Sequence, residues 1–358
     1  MSLELKKVGK RVGADIHIHD TDLTLVEGSF NVLLGTTLAG KTTLMQLMAG
    51  LDRPTSGKVF FDGKDVTSIP VQKRNVAMVY QQFINYPNFS VYENIASPLR
   101  VNAVARDEID RRVKKTADLL QLTAMLPRKP NELSGGQQQR TALARALVKD
   151  ADLILLDEPL ADLDYKLREE LREELPKLFA GRRCIVVYAT SEPSEALLFG
   201  SNTATMHEGR VTQFGPTTDT YRKPASLITA RVFSDPPINT AAVVKRDGAL
   251  VIGNNIRIPA GKAFAAVPDG EYTLAIRPHH ITPFPQNGAA MVEGRVLITE
   301  LSGSDSVLHF DLGGKTWVSQ SVGIHPFEVG VLAKLYVDVD QGFIFGRDDQ
   351  LIAGGDYG

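Results

Sequence analysis

Cysteine is almost missing from this 358-residue sequence, in which Cys184 stands alone. A single thiol excludes an internal disulfide and suits a reducing compartment. Cys184 opens the apolar run Ile185, Val186, Val187, so a buried, unreactive thiol is expected. No stretch reaches the roughly 20 apolar residues of a membrane-spanning helix. The first residues, with Glu4, Lys6 and Lys7 close together, lack the apolar segment of a secretory signal. The expectation is a cytoplasmic chain whose contact with a membrane is made through a partner. Net charge is lacking too: a formal value of −2 leaves no electrostatic footprint for nucleic acid.

What is present is an ordinary globular composition, 43% apolar and 23% charged, in a chain long enough for two domains. Its clearest feature is the turn Gly35-Thr36-Thr37-Leu38-Ala39-Gly40-Lys41-Thr42-Thr43. The apolar run Phe30 to Leu34 before it reads as a buried strand, and Leu44 to Ala49 after it has helical composition. Glycine, four residues, glycine, lysine, threonine is the spacing of a phosphate-binding loop. Gly35 and Gly40 let the backbone approach a phosphate chain closely, and the following helix offers its N–H groups to that charge. Lys41 would reach terminal phosphates, and the Thr42 hydroxyl would sit on a magnesium ion.

Short strands (Leu23 to Val26, Val59 to Phe61, Val76 to Tyr80, Leu153 to Leu156, Cys184 to Tyr188) alternate with helical stretches. That alternation implies a mostly parallel sheet covered on both faces. One helical pattern runs from about Val91 to Leu126 and another opens after Leu133-Ser134-Gly135-Gly136-Gln137, so a helical subdomain is expected over about 85–150. After Pro236-Pro237 the strands become short and alternating, and Gly313-Gly314 is a two-residue hairpin turn. The expected division is an α/β domain over 1–235 and a small all-β barrel or sandwich over 236–358.

Asp157 and Glu158 directly follow an apolar strand, where such folds hold magnesium. Glu158 could then orient and deprotonate a water. Ser134 and two glycines at a helix start form a second anion-binding device. One chain has little use for two phosphate clamps about ninety residues apart unless the second serves a nucleotide bound elsewhere. With this motif in view, the whole chain resembles the ATPase subunit of ATP-binding-cassette transporters.

The resemblance implies a P-loop ATPase binding ATP and Mg2+. In that family, two subunits pack head to tail and each signature sequence closes on the other's nucleotide. Ser134, Gly135, Gly136 and Gln137 would then face the partner's γ-phosphate. Gln81 matches the glutamine that senses magnesium and water, and Asp164 the aspartate at the dimer seam. The residues from Phe83 to Tyr92 match the surface that grips the membrane-spanning permease subunits. Pro236-Pro237-Ile238-Asn239 and Ile276-Arg277-Pro278 are similar to landmarks of the carbohydrate and polyol importers. Their C-terminal domain is oligonucleotide-fold-like, of TOBE or MOP type, packs against its twin and can regulate. The implied location is the cytoplasmic face of the bacterial inner membrane, with a solute-binding protein as an indirect partner.

Three departures stand against that pattern. Val12 occupies the position of the aromatic that stacks on adenine, where stacking contributes roughly 1–3 kcal/mol in other nucleotide binders. Ser191, in Tyr188-Ala189-Thr190-Ser191-Glu192, stands where the family has a histidine, and losing one preorganised donor typically costs about 10²–10³ in rate. Thr36 to Ala39 replace the usual Pro, Ser and Gly. The seven histidines of this chain, His207 among them, read as structural or solvated. A chain with its clamp intact and its own site impaired suggests a heterodimer with a second ATPase, as in bacterial glycerol importers. The rival readings are a nucleotide-binding scaffold with little hydrolysis of its own, and a soluble cassette protein of DNA repair or translation. A single cassette, no long coiled-coil insertion and near-neutral charge count against the last.

Overall fold

Phe30–Gly35 (β3) is buried at all six positions, which only a strand covered on both faces requires. The structure, a computed structural model, describes residues 1–82, 84–161, 163–253 and 256–355. Two compact units divide the chain, Met1–Thr217 and Thr218–Gly358.

The first unit opens with β1 (Ser2–Val12) and β2 (Asp15–Val26), an antiparallel pair far longer than the short runs the sequence suggests. After β3 come α1 (Lys41–Ala49), β4 (Ser56–Phe61), β5 (Lys64–Asp65) and β6 (Val76–Val79). Three helices follow, α2 (Val91–Val101), α3 (Arg106–Leu119) and α4 (Gly135–Leu147). The unit closes with β7 (Leu153–Asp157), α5 (Tyr165–Phe179), β8 (Ile185–Thr190), α6 (Pro193–Phe199), β9 (Asn202–His207) and β10 (Arg210–Pro216). One sheet has the order β2-β1-β4-β5; the other is β10-β9-β3-β8-β7-β6. The second sheet is parallel except for β10 at its edge. β3 thus lies between β8 and β9, with β7 next to β8, so the ends of β3, β7 and β8 open on the same rim. Full burial of each Leu, Ile or Val on these strands stabilises the unit by about 1.5–3 kcal/mol.

The single helical pattern from Val91 to Leu126 is in fact two helices and a short 3-10 turn. Ala103 takes a φ of +53° between them, which ends α2 and reverses the chain. Val91, Ile95 and Leu99 on α2, and Ile109, Val113 and Ala117 on α3, are all buried, so one periodicity covers both. Among the described residues no helix is long and apolar enough to cross a membrane.

From Asn239 on, the second unit is an all-β, near-barrel domain, preceded by the short helices Thr217–Arg222 and Leu227–Val232. A sheet of six antiparallel strands runs 256–259, 249–252, 239–246, 270–276, 343–345, 351–354 in spatial order. A second antiparallel sheet of five runs 281–282, 332–337, 290–301, 305–312, 315–322. One core, around Trp317, Phe310 and Phe264, holds both sheets together. The Gly313-Gly314 turn has φ of +64° and +79°, as a two-residue hairpin demands, and pairs Leu312 with Lys315. Asn239 pairs with Ile276, bringing the two landmark stretches side by side. The unit boundary falls ahead of the composition change at Pro236-Pro237. The helix Leu227–Val232 explains this by burying Leu227 and Ala230 with Ile238, Phe343 and Phe345.

Candidate nucleotide site

β3 delivers Gly35 to the rim, and residues 36–40 turn the chain into α1. A Cβ on Gly35 would lie 2.6 Å from the Met206 carbonyl oxygen, so no side chain fits there. Gly40 takes a φ of +99° with Ile18 Cδ1 2.9 Å from where a Cβ would be, so it too must be glycine. α1 has no side-chain cap and no acidic residue in its first turn, which leaves its N–H groups and positive dipole end for an anion. Leu38 is 95% exposed at a φ of +67°, an uncomfortable backbone for leucine at the tip of the loop.

Across from the loop, Asp157 ends β7 almost wholly buried and accepts a hydrogen bond from the Thr42 hydroxyl at 2.6 Å. Burial pushes its carboxyl above the usual range, and the Thr42 bond opposes that shift. Glu158 follows at a φ of +46°, its N–H donating to the Ala189 carbonyl at 3.0 Å. That turn swings its side chain back to the loop. Oε1 lies 3.1 Å from Lys41 Nζ, and Oε2 accepts from Gln81 Nε2 at 3.2 Å. Lys41 Nζ, itself buried, also donates to the carbonyls of Gly35 (2.7 Å) and Thr36 (3.1 Å).

Thr37 to Thr43, Gln81 and Glu158 line a cavity of about 550 Å³ together with Ile16, His17, Glu208 and Gly209. This volume lies within the usual size range for small-molecule sites. A lysine, an open helix start and a hydroxyl paired with a carboxylate are a donor set that fits a polyphosphate with Mg2+, a hard cation usually held by one or two carboxylates and the phosphates themselves. No cluster of three metal-ligating side chains exists among the described residues, and such a site needs none.

The rim therefore brings together Lys41, Thr42, Gln81, Asp157 and Glu158, which lie far apart in sequence. Other candidates stand elsewhere. Val12, half exposed, ends β1 beside the hairpin turn and does not line the cavity. Ile16 and His17 do, because they lie across that hairpin, where Arg11 pairs with Ile16 and Val12 with Asp15. Only the strand register, invisible in sequence, could have found them. Ser191 is exposed just past β8 and does not line the cavity.

Ser134 caps α4: its Oγ accepts from Gln137 N–H (3.4 Å), and Gln137 Oε1 accepts from Ser134 N–H (3.0 Å). Ser134, Gly135, Gly136 and Gln137 do not line this cavity. Gln139, buried on α4, donates to the Pro159 carbonyl at 2.9 Å and ties this helix to the turn after Glu158. Asp164 caps α5 by accepting from Leu167 N–H at 3.1 Å.

Phe83 lies outside the described residues. The rest of the aromatic loop is presented outward, with Ile84, Tyr86 and Phe89 at 62%, 49% and 40% exposure. Two residues that sequence reasoning missed hold it. Buried Asn94 accepts from Tyr86 N–H (2.8 Å) and donates to the Tyr86, Phe89 and Ser90 carbonyls. Arg145 of α4 donates to the Ile84 carbonyl at 2.6 Å and lies 4.9 Å from the Tyr86 ring centroid.

A family model described as ABC transporter matches residues 18–161. An sn-glycerol-3-phosphate import ATP-binding protein of Burkholderia thailandensis is 37% identical over 315 residues, covering 86% of this chain and 87% of the relative. A trehalose/maltose import ATP-binding protein of Thermococcus litoralis is 35% identical over 362 residues, covering 96% and 97%. Among solved structures, a dimeric bacterial ABC transporter cassette is similar with a TM-score of 0.56 and 30% identity, covering 60% of this chain and 98% of its own.

Proposed function

The chain belongs to the ABC transporter family of ATP-binding subunits, and on that premise we propose that it powers import of a sugar, a polyol such as glycerol, or glycerol phosphate. It binds and hydrolyses ATP on behalf of membrane-spanning permease subunits. The observation that carries this reading is the convergence of Lys41, Thr42, Gln81 and Glu158 on one cavity beside an open helix start, with buried Asp157 behind it, bonded to Thr42.

Lys41 and the N–H groups of α1 bind the phosphates, and the Lys41 cation offsets their charge in a poorly solvated place. Thr42 and Asp157 are the residues to hold Mg2+, which supplies neutralisation of phosphate charge when bound. Glu158 is placed to accept a proton from water, and Gln81 orients its carboxylate. The backbone turn at Glu158, pinned to Ala189, fixes where that proton is taken.

Ser134 to Gln137 stand apart from the cavity, at the solvent-exposed start of α4 that Ser134 and Gln137 cap, which supports their use on a nucleotide held by a second ATPase subunit. Asp164 belongs to the same seam. Ser191 and the exposed Leu38 favour a heterodimer, with the partner's site the faster of the two. Ile84, Tyr86 and Phe89 form the surface for the permease, which sets the chain on the cytoplasmic face of the inner membrane, with a solute-binding protein acting through the permease. A nucleotide-binding scaffold with little hydrolysis of its own is the rival reading, and Glu158 held beside Lys41 and Gln81 counts against it.

The test is reconstitution with the co-purified membrane subunits in vesicles. ATP-dependent solute uptake that needs this chain together with a second ATPase supports the reading. Full-rate transport by this chain alone refutes the heterodimer, and ATP-independent uptake refutes the motor.

A further inference from the structure

Two arginines of α5 hold the turn after β8, and one of them, Arg168, also holds the turn after β7. Arg168 donates through Nη2 to the carbonyls of Ala161 (2.9 Å) and Leu163 (3.5 Å), while its Nη1 reaches Glu192 Oε1 at 3.4 Å. Arg172, four residues on and on the same helix face, donates through Nε (3.2 Å) and Nη2 (3.1 Å) to Glu195 Oε1 and also grips Glu192. Its Nη1 is held by Glu169 at 2.7 Å.

Glu195, almost wholly buried, accepts at its other oxygen from the Tyr188 hydroxyl (2.9 Å) and the Thr190 hydroxyl (2.6 Å). Thr190 Oγ1 in turn accepts from the Glu192 N–H at 3.0 Å. Ser191 is thereby spanned by a closed ring of hydrogen bonds whose far side is anchored on α5. At its buried end, where Glu195 meets Arg172, Tyr188 and Thr190, the network keeps its geometry because leaving a buried member unpaired is costly.

We propose that Arg168 and Arg172 are positioning residues: Arg172 fastens the 190–192 turn to α5, and Arg168 ties that turn to the carbonyls of Ala161 and Leu163, so that a displacement of either side moves the other. The inference rests on the ATPase reading, in which Asp164 lies at the seam with a second subunit and Ser191 at the switch position. Neither arginine lines the nucleotide cavity, so both act through the turns they hold. Contact of a partner subunit at the seam reaches Ser191 by a short path, from the Ala161 carbonyl through Arg168 to Glu192. The path uses discrete hydrogen bonds rather than deformation of the packed sheet.

The test uses the full chain with Arg168→Gln, Arg168→Lys, Glu192→Gln and the Arg168→Gln/Glu192→Gln double variant. Arg168 and Glu192 are chosen because both are partly exposed, whereas opening the Arg172 pair with buried Glu195 threatens the fold itself. Amide hydrogen exchange is followed in peptides covering 161–164 and 190–195.

Glu192→Gln is expected to speed exchange in the 161–164 peptide about two- to tenfold, although those residues are about thirty positions away. Arg168→Gln speeds both peptides, the double variant adds little more, and Arg168→Lys is intermediate. In the reconstituted complex Arg168→Gln lowers kcat with the KM for ATP unchanged. Exchange effects confined to the mutated turn, or single effects that multiply in the double variant, overturn the linkage. If the exchange result holds while the parent chain supports no ATP hydrolysis, the ATPase reading falls and the linkage stands. If the parent hydrolyses ATP and the two turns exchange independently, the linkage alone falls.

Discussion

Lys41 Nζ lies 3.1 Å from Glu158 Oε1, a contact between the residue that would bind phosphate and the residue that would take a proton. The same nitrogen is held by two loop carbonyls, and the same carboxylate by Gln81. An anion entering the loop must therefore compete with Glu158 for Lys41, and winning that competition releases the carboxylate next to the phosphates.

Glu158→Gln removes both the competitor and the base. Nucleotide affinity should stay equal or rise, while phosphate release falls about 10²–10⁴-fold. Fluorescent-nucleotide titration and single-turnover phosphate release check this, in an assembled complex whose partner site has been inactivated. Equal phosphate release by parent and variant would remove Glu158 from the chemistry.

Ser191 is exposed, so a larger side chain fits without disturbing the packed ring behind it. Ser191→His should raise hydrolysis at this chain's own site by about tenfold or more, since a preorganised donor typically contributes 10²–10³. No gain in the same single-turnover assay would show that serine at this position is not what slows the site.

Ile84→Asp and Tyr86→Ala alter the outward loop without touching the cavity. The Tyr86 change also removes the ring 4.9 Å from Arg145. Binding to the permease subunits should weaken by about 1–2 kcal/mol per substitution, roughly 5–30-fold in Kd, while nucleotide titration is unchanged. Co-purification yield and a direct affinity measurement report it, and undiminished binding rules out this loop as the docking surface.

In the second unit, burial, and then the neighbouring His279 and Arg277, push the His280 imidazole down to about 3. Between about pH 3 and 6.5 the unfolded chain binds a proton that the folded chain refuses, so stability rises with pH across that window. At pH 5 the cost is about 2 kcal/mol relative to pH 8. His280→Gln should flatten the pH dependence of urea unfolding by about that amount. A parent and variant with parallel profiles would mean that His280 is protonated in the folded chain.

How far the site was legible depends on how local each part is. The phosphate loop could be read because its glycines, lysine and threonine are adjacent, and two of its constraints, at Gly35 and Gly40, follow from backbone approach. Asp157 and Glu158 could be read from their place after an apolar run. Ile16 and His17 could not, because they reach the cavity only through the register of the β1–β2 hairpin. Asn94 and Arg145 looked like any polar residues on helices, and it is the fold of the loop that makes them its supports. The two-helix break at Ala103 was hidden because both helices bury the same apolar spacing.

The sequence alone determined the alternation of strands and helices, the change to a strand-only pattern in the C-terminal third, and the chemical identity of each group proposed to react. These depend on hydrophobic period, turn residues and motif spacing, all local properties. Tertiary structure decided which groups meet. The order β9-β3-β8-β7 sets the ends of distant strands on one rim, and only there do Thr42 and Asp157, or Lys41 and Glu158, come within bonding distance. Arg168 and Glu192 are joined for the same reason: hydrogen bonds are short-ranged, and only packing can bring such residues into reach.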